Sequence, residues 1–197
     1  MSRRRVSTPD AASPPNLRER LRVGTRDLHQ AAERALDSDR RLADRDAYLG
    51  LLERLWSLHQ GLAEAFAGRR FGAFDAARAS RRKAAALAAD IADLSGAPPA
   101  GSPAAFAFAG DDEALGGAYV QVGSTLGGLV LFRAASVNLS VAADRGGRFL
   151  AADSEAREAW RSLVETLAAR SAAGPAADAA VRGARQVFTR FRDVLRA

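Results

Sequence analysis

Apolar residues recur along most of the chain at the three- and four-residue spacing of helices that are buried on one face. The pattern predicts a first helix from Leu17 to about Leu36, with Asn16 as its N-cap and Glu19 as the capping-box partner. No stretch shows the period-two alternation of a half-buried β-strand. The sequence therefore predicts an all-α fold, a single-domain helical bundle.

Further helices are predicted along the rest of the chain, separated by Gly- and Pro-containing loops. They are a helix from about Asp44 to Gly68, one from Ser80 to Leu94, one from Asp112 to Val137, one around Trp160, and a last one after Gly174 and Pro175. Residues 96–110 are predicted as a loop and residues 144–152 as a connector. Residues 1–15 are rich in Pro, Ser and Arg and are predicted as a disordered basic tail, so the helical domain would span residues 16–197.

The composition narrows the possible chemistry. Cysteine is absent and there are only two histidines, His29 and His59. Disulfide scaffolds, cysteine nucleophiles and three-histidine zinc sites are therefore excluded.

The net charge of +6 comes almost wholly from arginine, with Lys83 as the sole lysine. Because the arginines are interleaved with acidic residues, we interpret them as a solvated surface and expect no nucleic-acid partner. No apolar segment follows Arg3–Arg5, so no signal peptide is expected and a cytoplasmic location is predicted. The uncharged stretch Ala114–Phe132 is diluted by glycine and polar residues, and we expect no membrane span there.

The fourth predicted helix is unusually rich in glycine. Its glycines are Gly116, Gly117, Gly123, Gly127 and Gly128. Each glycine inside a helix costs roughly 1 kcal/mol relative to alanine, so something should offset the loss. Glycine allows close approach to the helix backbone, and the approaching group could be a neighbouring helix or a flat ligand.

The first predicted helix carries a polar face. Arg22, Thr25, His29 and Glu33 follow one another at spacings of three, four and four residues, which places them on one side. Glu33 can accept a hydrogen bond from one ring nitrogen of His29, an arrangement that orients metal-ligating imidazoles. An ordinary half-buried histidine with a neighbouring Glu is the alternative. His59 lies on an apolar stripe and is interpreted as structural.

Two segments together resemble the haem oxygenase family. The segment from Thr25 through His29 to Glu33 resembles the proximal-helix motif of that family. The segment from Ala118 to Gly128 resembles its glycine-rich distal helix, above all in the bacterial biliverdin-producing branch that is associated with bacteriophytochromes.

The resemblance implies that haem lies between the first helix and a kinked, glycine-rich distal helix. His29 would be the iron ligand, and Gly123, Ser124 and Gly127 would form the catalytic distal side. The remaining haem-binding residues would be Arg22, Thr25, Glu33, Tyr119, Gly128 and, on the helix with Trp160, Arg161. Ser124 stands where animal members carry an Asp.

The function implied by the resemblance is cleavage of haem to biliverdin, carbon monoxide and ferrous iron. It needs O2 and electrons from an external reductase or ferredoxin, and a bacteriophytochrome is a candidate acceptor of the product. The alternative is a haem-binding carrier or sensor without turnover on the same fold. A ferritin-like di-iron site would need Glu-x-x-His pairs, but Arg26 and Trp56 precede the two histidines by three residues.

Overall fold

The computed structural model describes residues 16–196, leaving aside the side chains of Asp39 and Leu126. The predicted tail at residues 1–15 lies outside the described residues. Helices dominate the rest, which confirms the all-α prediction. In chain order they are α1 (Leu17–Gly24), α2 (Arg26–Leu36), α3 (Ser38–Arg41), α4 (Arg45–Ala65), α5 (Ala76–Ser95), α6 (Asp111–Leu139), α7 (Arg148–Ala151), α8 (Ser154–Ala168) and α9 (Pro175–Arg196).

Side-chain caps explain where several of these helices begin. In each case a side-chain oxygen accepts a hydrogen bond from the backbone N–H three residues later, which satisfies a donor that the helix itself leaves unpaired. The capping residues are Asn16, Asp44, Asp75 and Asp153, at distances of 2.8–3.2 Å. The predicted Asn16 cap is confirmed. The predicted start of α5 at Ser80 is wrong, because Asp75 caps the helix and it begins at Ala76.

The first predicted helix, Leu17–Leu36, is interrupted at Gly24 and Thr25. The Thr25 hydroxyl donates to the carbonyl of Leu21 at 2.7 Å, and Arg185 of α9 donates to the carbonyl of Gly24 at 2.8 Å. Donors from outside the i→i−4 ladder compete for the helix carbonyls and favour a bend or a break at that point. The continuous helix was therefore a wrong prediction, and the decisive donor comes from the far end of the chain.

Two short elements also depart from the sequence-based prediction. Strands β1 (Arg70–Phe71) and β2 (Phe74–Asp75) form an antiparallel hairpin in which Phe71 pairs with Phe74. Gly72 supplies the positive φ of its turn, +62°. The short helix α7 lies inside the predicted connector at residues 144–152. Two-residue strands are too short to produce a detectable alternation of apolar and polar residues.

Helix α9 is the helix around which the bundle is organised. It packs against α1, α2, α4 and α6, while α4 also packs against α5. Its buried face consists of Ala177, Ala180, Gly183, Ala184, Val187, Phe188, Phe191 and Leu195. Because α2 and α6 both pack on α9, this helix determines how those two lie relative to each other.

The crossing of α6 and α9 explains two of the glycines. A Cβ atom on Gly116 would overlap the carbonyl oxygen of Ala180, and one on Gly183 would overlap that of Glu113. The two glycines thus bring the helix backbones into direct contact from both sides. Either a neighbouring helix or a flat ligand could have approached the backbone at Gly116, and the structure shows a neighbouring helix there.

Helix α6 is long and apolar enough to cross a membrane by length and composition. In the fold, 53% of its most apolar window is buried against the rest of the protein. Such burial is typical of a core helix that packs on its neighbours.

Alanine substitutions of two glycines on α6 should have opposite effects on stability. Gly116→Ala forces a Cβ into the Ala180 carbonyl and should lower the free energy of unfolding by roughly 1–3 kcal/mol. Gly127→Ala is the matched control, since its Cβ would meet nothing within 4 Å, and the better helix propensity should raise stability by up to about 1 kcal/mol. Urea denaturation followed by circular dichroism measures both. Equal shifts for the two variants would contradict the close crossing.

Candidate functional site

A pocket of about 340 Å³ opens on the polar face of α1 and α2. Its lining is Arg22, Thr25, Arg26, His29, Gln30, Glu33 and, from α6, Tyr119. The four residues whose spacing placed them on one face therefore do line one pocket, despite the break at Thr25. Tyr119 joins them from the distal segment, whereas Gly123, Ser124, Gly127 and Gly128 of that segment are not part of the lining.

The His29 imidazole is open to solvent, with 57% of its side chain exposed. Glu33 Oε1 lies 3.4 Å from Nδ1, and the edge of the Phe188 ring supports the imidazole at a centroid distance of 5.5 Å. Nε2 has no protein partner among the described residues. The ring is thus held by Glu33 and Phe188, while one nitrogen remains available to a ligand.

Thr25 and Arg22 hold protein contacts of their own. Thr25 is buried, and its hydroxyl serves the Leu21 carbonyl, which makes it a structural cap at the break between α1 and α2. Arg22 Nε donates to Glu19 Oε2 at 3.1 Å, and this ion pair raises the pKa of the guanidinium and lowers that of Glu19. Both side chains of the pair are about half exposed, so the guanidinium can exchange Glu19 for another anion.

Arg18, a basic residue that was not predicted, lies near Tyr119 but outside the lining of the pocket. The Arg18 guanidinium lies 6.0 Å from the Trp160 ring centroid, and the Trp160 and Tyr119 rings are 6.1 Å apart. Burial raises the pKa of Tyr119, while the charges of Arg18 and Arg22 oppose the shift. Arg18 precedes Arg22 by four residues, and this helical spacing could have identified it.

Arg161 does not belong to this group. It lines a different and larger cleft of about 1170 Å³ between α5 and α8, which contains none of the residues around His29. The predicted basic residue on the helix of Trp160 is therefore displaced from the pocket, and Arg18 occupies the position beside Trp160.

The distal glycines differ in their surroundings. A Cβ on Gly123 would touch the Trp160 ring at 3.4 Å, and one on Gly128 would lie 3.3 Å from the carbonyl oxygen of Leu150. Gly127 is exposed and faces open space. Close packing thus accounts for Gly128, whereas Gly127 leaves a bare stretch of helix.

The chain resembles known proteins over nearly its full length. A family model described as "Heme oxygenase" matches residues 15–101, which include both histidines. "Heme oxygenase PigA" of Pseudomonas aeruginosa is 31% identical over 183 residues, covering 91% of this chain and 92% of that protein.

The chain belongs to the haem oxygenase family.

Solved structures of bacterial haem oxygenases share the fold. The haem oxygenase of Neisseria meningitidis superposes with a TM-score of 0.77 at 24% identity, over 92% of this chain and 90% of that one. The enzyme of Leptospira interrogans gives 0.69 at 17% identity, over 92% and 99%. The predicted bacterial haem oxygenase relationship and helical bundle are confirmed.

Behind the distal helix, this haem oxygenase chain buries a polar cluster that was not predicted. We call His59, Ser80, Lys83, Gln121 and Thr125 the buried polar cluster; four of them are buried, and Lys83 is partly buried at the edge of the cleft between α5 and α8. Ser80 Oγ donates to Gln121 Oε1 at 2.5 Å. Within the described part of the chain, both ring nitrogens of His59, Nε2 of Gln121 and Oγ1 of Thr125 are buried without a hydrogen-bond partner.

His59 is fully buried between the rings of Phe149 and Phe191, at centroid distances of 5.0 and 5.5 Å. Burial, followed by the charge of Lys83, holds its pKa well below the usual histidine value. The ring is therefore neutral at physiological pH. His59 lies outside the lining of the pocket that contains His29.

Lys83 belongs to the same cluster and reaches α6 from α5. Its Nζ donates to the carbonyl of Gln121 at 2.7 Å and to Ser124 Oγ at 2.9 Å. Burial lowers the pKa of Lys83 to about 7. Ser80, Lys83 and Leu87 share one face of α5. A lysine between a buried serine and a buried leucine is unusual, and this pattern could have identified Lys83 from the sequence.

The pH dependence of Lys83 can be measured directly, because it is the sole lysine. With ¹³Cε-labelled lysine, we expect one NMR signal that titrates near pH 7 in the folded protein and near pH 10.5 after denaturation. Between these values the unfolded chain binds more protons, so this group makes the free energy of unfolding rise with pH. Lys83→Met should remove that rise. A folded-state midpoint above pH 10 would contradict the burial of the ammonium.

Proposed function

We propose that this chain is an enzyme that cleaves haem to biliverdin, carbon monoxide and ferrous iron, using O2 and electrons from an external reductase or ferredoxin. One observation carries the proposal: the exposed His29 imidazole, oriented by Glu33, opens into a pocket that also contains Tyr119 of the glycine-rich helix. A cytoplasmic location and a bacteriophytochrome as acceptor of the product belong to the same proposal.

The donor set fits haem. Among the described residues, no group of three or more His, Cys, Asp or Glu side chains could hold a metal ion. A single available imidazole suits an iron that already has four porphyrin nitrogens and needs one axial ligand from the protein. The contact of Nδ1 with Glu33 would fix the ring orientation and increase the basicity of Nε2.

The charges around the pocket fit the carboxylates of haem. Arg22 and Arg26 line the pocket with Tyr119, and Arg18 lies beside Trp160, outside the lining. Guanidinium groups and a phenol are strong donors to carboxylates, and such charge-assisted hydrogen bonds would orient an asymmetric substrate. Arg22 would exchange Glu19 for a propionate, so it orients substrate while Thr25 supports the helix beneath it.

The distal side fits a flat substrate. Gly127 leaves open space beside α6, and Gly123 has only the Trp160 ring near it, so the backbone there can approach a planar ring. Bound haem supplies the iron that activates O2 and the meso carbon that is oxidised. Gly123 and Gly127 would leave room on the iron, and Ser124 would be the polar group nearest to it on this helix.

One observation favours the alternative of a haem-binding protein without turnover. The Ser124 hydroxyl already donates to the carbonyl of Gln121 at 2.7 Å and accepts from Lys83. A hydroxyl that is held in this way contributes less to the distal side than a free carboxyl group. Bilin formation separates the two functions.

The proposed function is tested by titrating the protein with hemin and then adding ascorbate or a reductase in air, with catalase present. We expect a Soret band that saturates at one equivalent and is then replaced by a bilin absorption. A stable Soret band without bilin would support the carrier. The absence of any Soret shift would overturn both functions.

His29→Ala tests the proposed iron ligand, because it removes the available imidazole from the pocket. We expect loss of the histidine-ligated ferric spectrum and a fall in turnover on the order of 100-fold. Arg34→Ala, an exposed change on the same helix outside the pocket, is the control and should behave as wild type. Normal turnover by His29→Ala would show that the ligand lies elsewhere.

A further inference from the structure

Lys83, Ser124 and Gln121 form a closed triangle of hydrogen bonds on the glycine-rich helix. Lys83 Nζ donates to the Gln121 carbonyl and to Ser124 Oγ, and Ser124 Oγ donates to the same carbonyl at 2.7 Å. The triangle thus ties α5 to the turn of α6 that immediately precedes Gly127.

The Lys83 ammonium acts on α6 at the carbonyl of Gln121. In an α-helix that oxygen accepts the N–H of the residue four positions on, and here two further donors share it. Extra donors at one carbonyl weaken the ladder locally and bend the helix at that turn. The glycines at 123, 127 and 128 offer little resistance to bending, so this turn of α6 is sensitive to the lysine contact.

Lys83 also contacts the ring of Phe149, whose backbone is held by a buried carboxylate. Its ammonium lies 5.4 Å from the centroid of the Phe149 ring. The backbone N–H groups of Arg148 and Phe149 donate to the fully buried Asp90 at 3.0 and 2.9 Å. The anchor therefore connects a buried carboxylate on α5, through Phe149 and Lys83, to the distal helix.

The contacts of Lys83 contribute little to the stability of the fold. Its ammonium donates to a carbonyl and a hydroxyl, and no carboxylate forms an ion pair with it among the described residues. Arg82 on the same helix instead forms ion pairs with Asp153 and Glu155. A partly desolvated charge without a counter-ion contributes little to stability. The hydrogen bonds of Lys83 to Gln121 and Ser124 therefore matter more for the position of α6 than for the stability of the fold.

We propose that Lys83 is a positioning residue: together with Ser124 it fixes the glycine-rich turn of α6, and the shape of that turn sets the rate of turnover. The proposal rests on the proposed function only for its effect on turnover, because the effect on helix α6 is measurable without haem.

Hydrogen exchange of the haem-free protein tests the anchor. In Lys83→Met, amides within residues 119–131 should exchange about 5- to 10-fold faster, corresponding to the loss of one hydrogen bond. Ser124→Ala removes the other arm of the triangle and should give the same local signature. Arg81→Met, which removes a charge from an exposed neighbouring site, is the matched control and should leave these amides unchanged.

With haem and reductant, the same variants test the consequence for catalysis. Lys83→Met should lower kcat while the hemin affinity stays within about twofold, because its contacts lie outside the pocket of His29. Lys83→Arg should restore part of kcat. If Lys83 acts through Ser124, the double variant should lose no more kcat than the worse single variant.

Three results would overturn the proposal. The first is unchanged exchange at residues 119–131 in both Lys83→Met and Ser124→Ala. The second is equally faster exchange across α4 and α9, which would indicate a merely structural lysine. The third is unchanged kcat in a protein whose wild type forms bilin. If the wild type binds haem and forms no bilin, the proposed enzyme function fails, whereas the exchange data still decide whether Lys83 positions the helix. If Lys83→Met does not fold, Ser124→Ala decides between the outcomes.

Discussion

The close crossing of α6 and α9 is the constraint on which the rest of this structure depends. Gly116 and Gly183 each leave space for a carbonyl oxygen of the opposite helix, so the two backbones touch. Helix α2 packs on the same α9. Arg185 of α9 donates to the carbonyl of Gly24 and to the carboxylate of Asp27 at 2.8–3.0 Å. The distance from His29 on α2 to the glycines of α6 is therefore set through α9.

The same residue type serves two purposes on one helix. Near its N-terminal end, glycine brings α6 against α9 and stabilises the bundle. Further along, a Cβ on Gly127 would meet nothing within 4 Å, so the backbone there is bare and exposed. Between these parts, Ser80 and Lys83 of α5 form hydrogen bonds with Gln121 and Ser124 of α6. The molecule thus combines a rigid crossing with a segment whose local shape depends on polar contacts.

Much of this arrangement could be predicted from local sequence. The helices, the Asn16 cap and the common face of Arg22, His29 and Glu33 follow from periodicity and capping chemistry. The break at Thr25 could not be predicted, because Arg185, which interrupts the helix, is 160 residues away in the chain.

The candidate site was predictable to a similar extent. His29 and Tyr119 do line one pocket, whereas Arg161 lies in the cleft between α5 and α8 because α8 turns that side chain away from Tyr119. The contacts of Lys83 arise from packing between helices, for which a single sequence has no periodic signal. Only its position on the buried face of α5 indicated that it was unusual.

In the proposed function, the pocket at His29 binds haem through that imidazole. The protein contains two histidines, so ¹⁵N labelling of their rings gives two sets of side-chain signals, one for each histidine. The most direct measurement is their titration with zinc protoporphyrin IX, a diamagnetic analogue that takes one axial ligand. The account predicts that the His29 ring signals shift and saturate at one equivalent while those of the buried His59 move little. A shift confined to His59, or no shift of either ring, would contradict it.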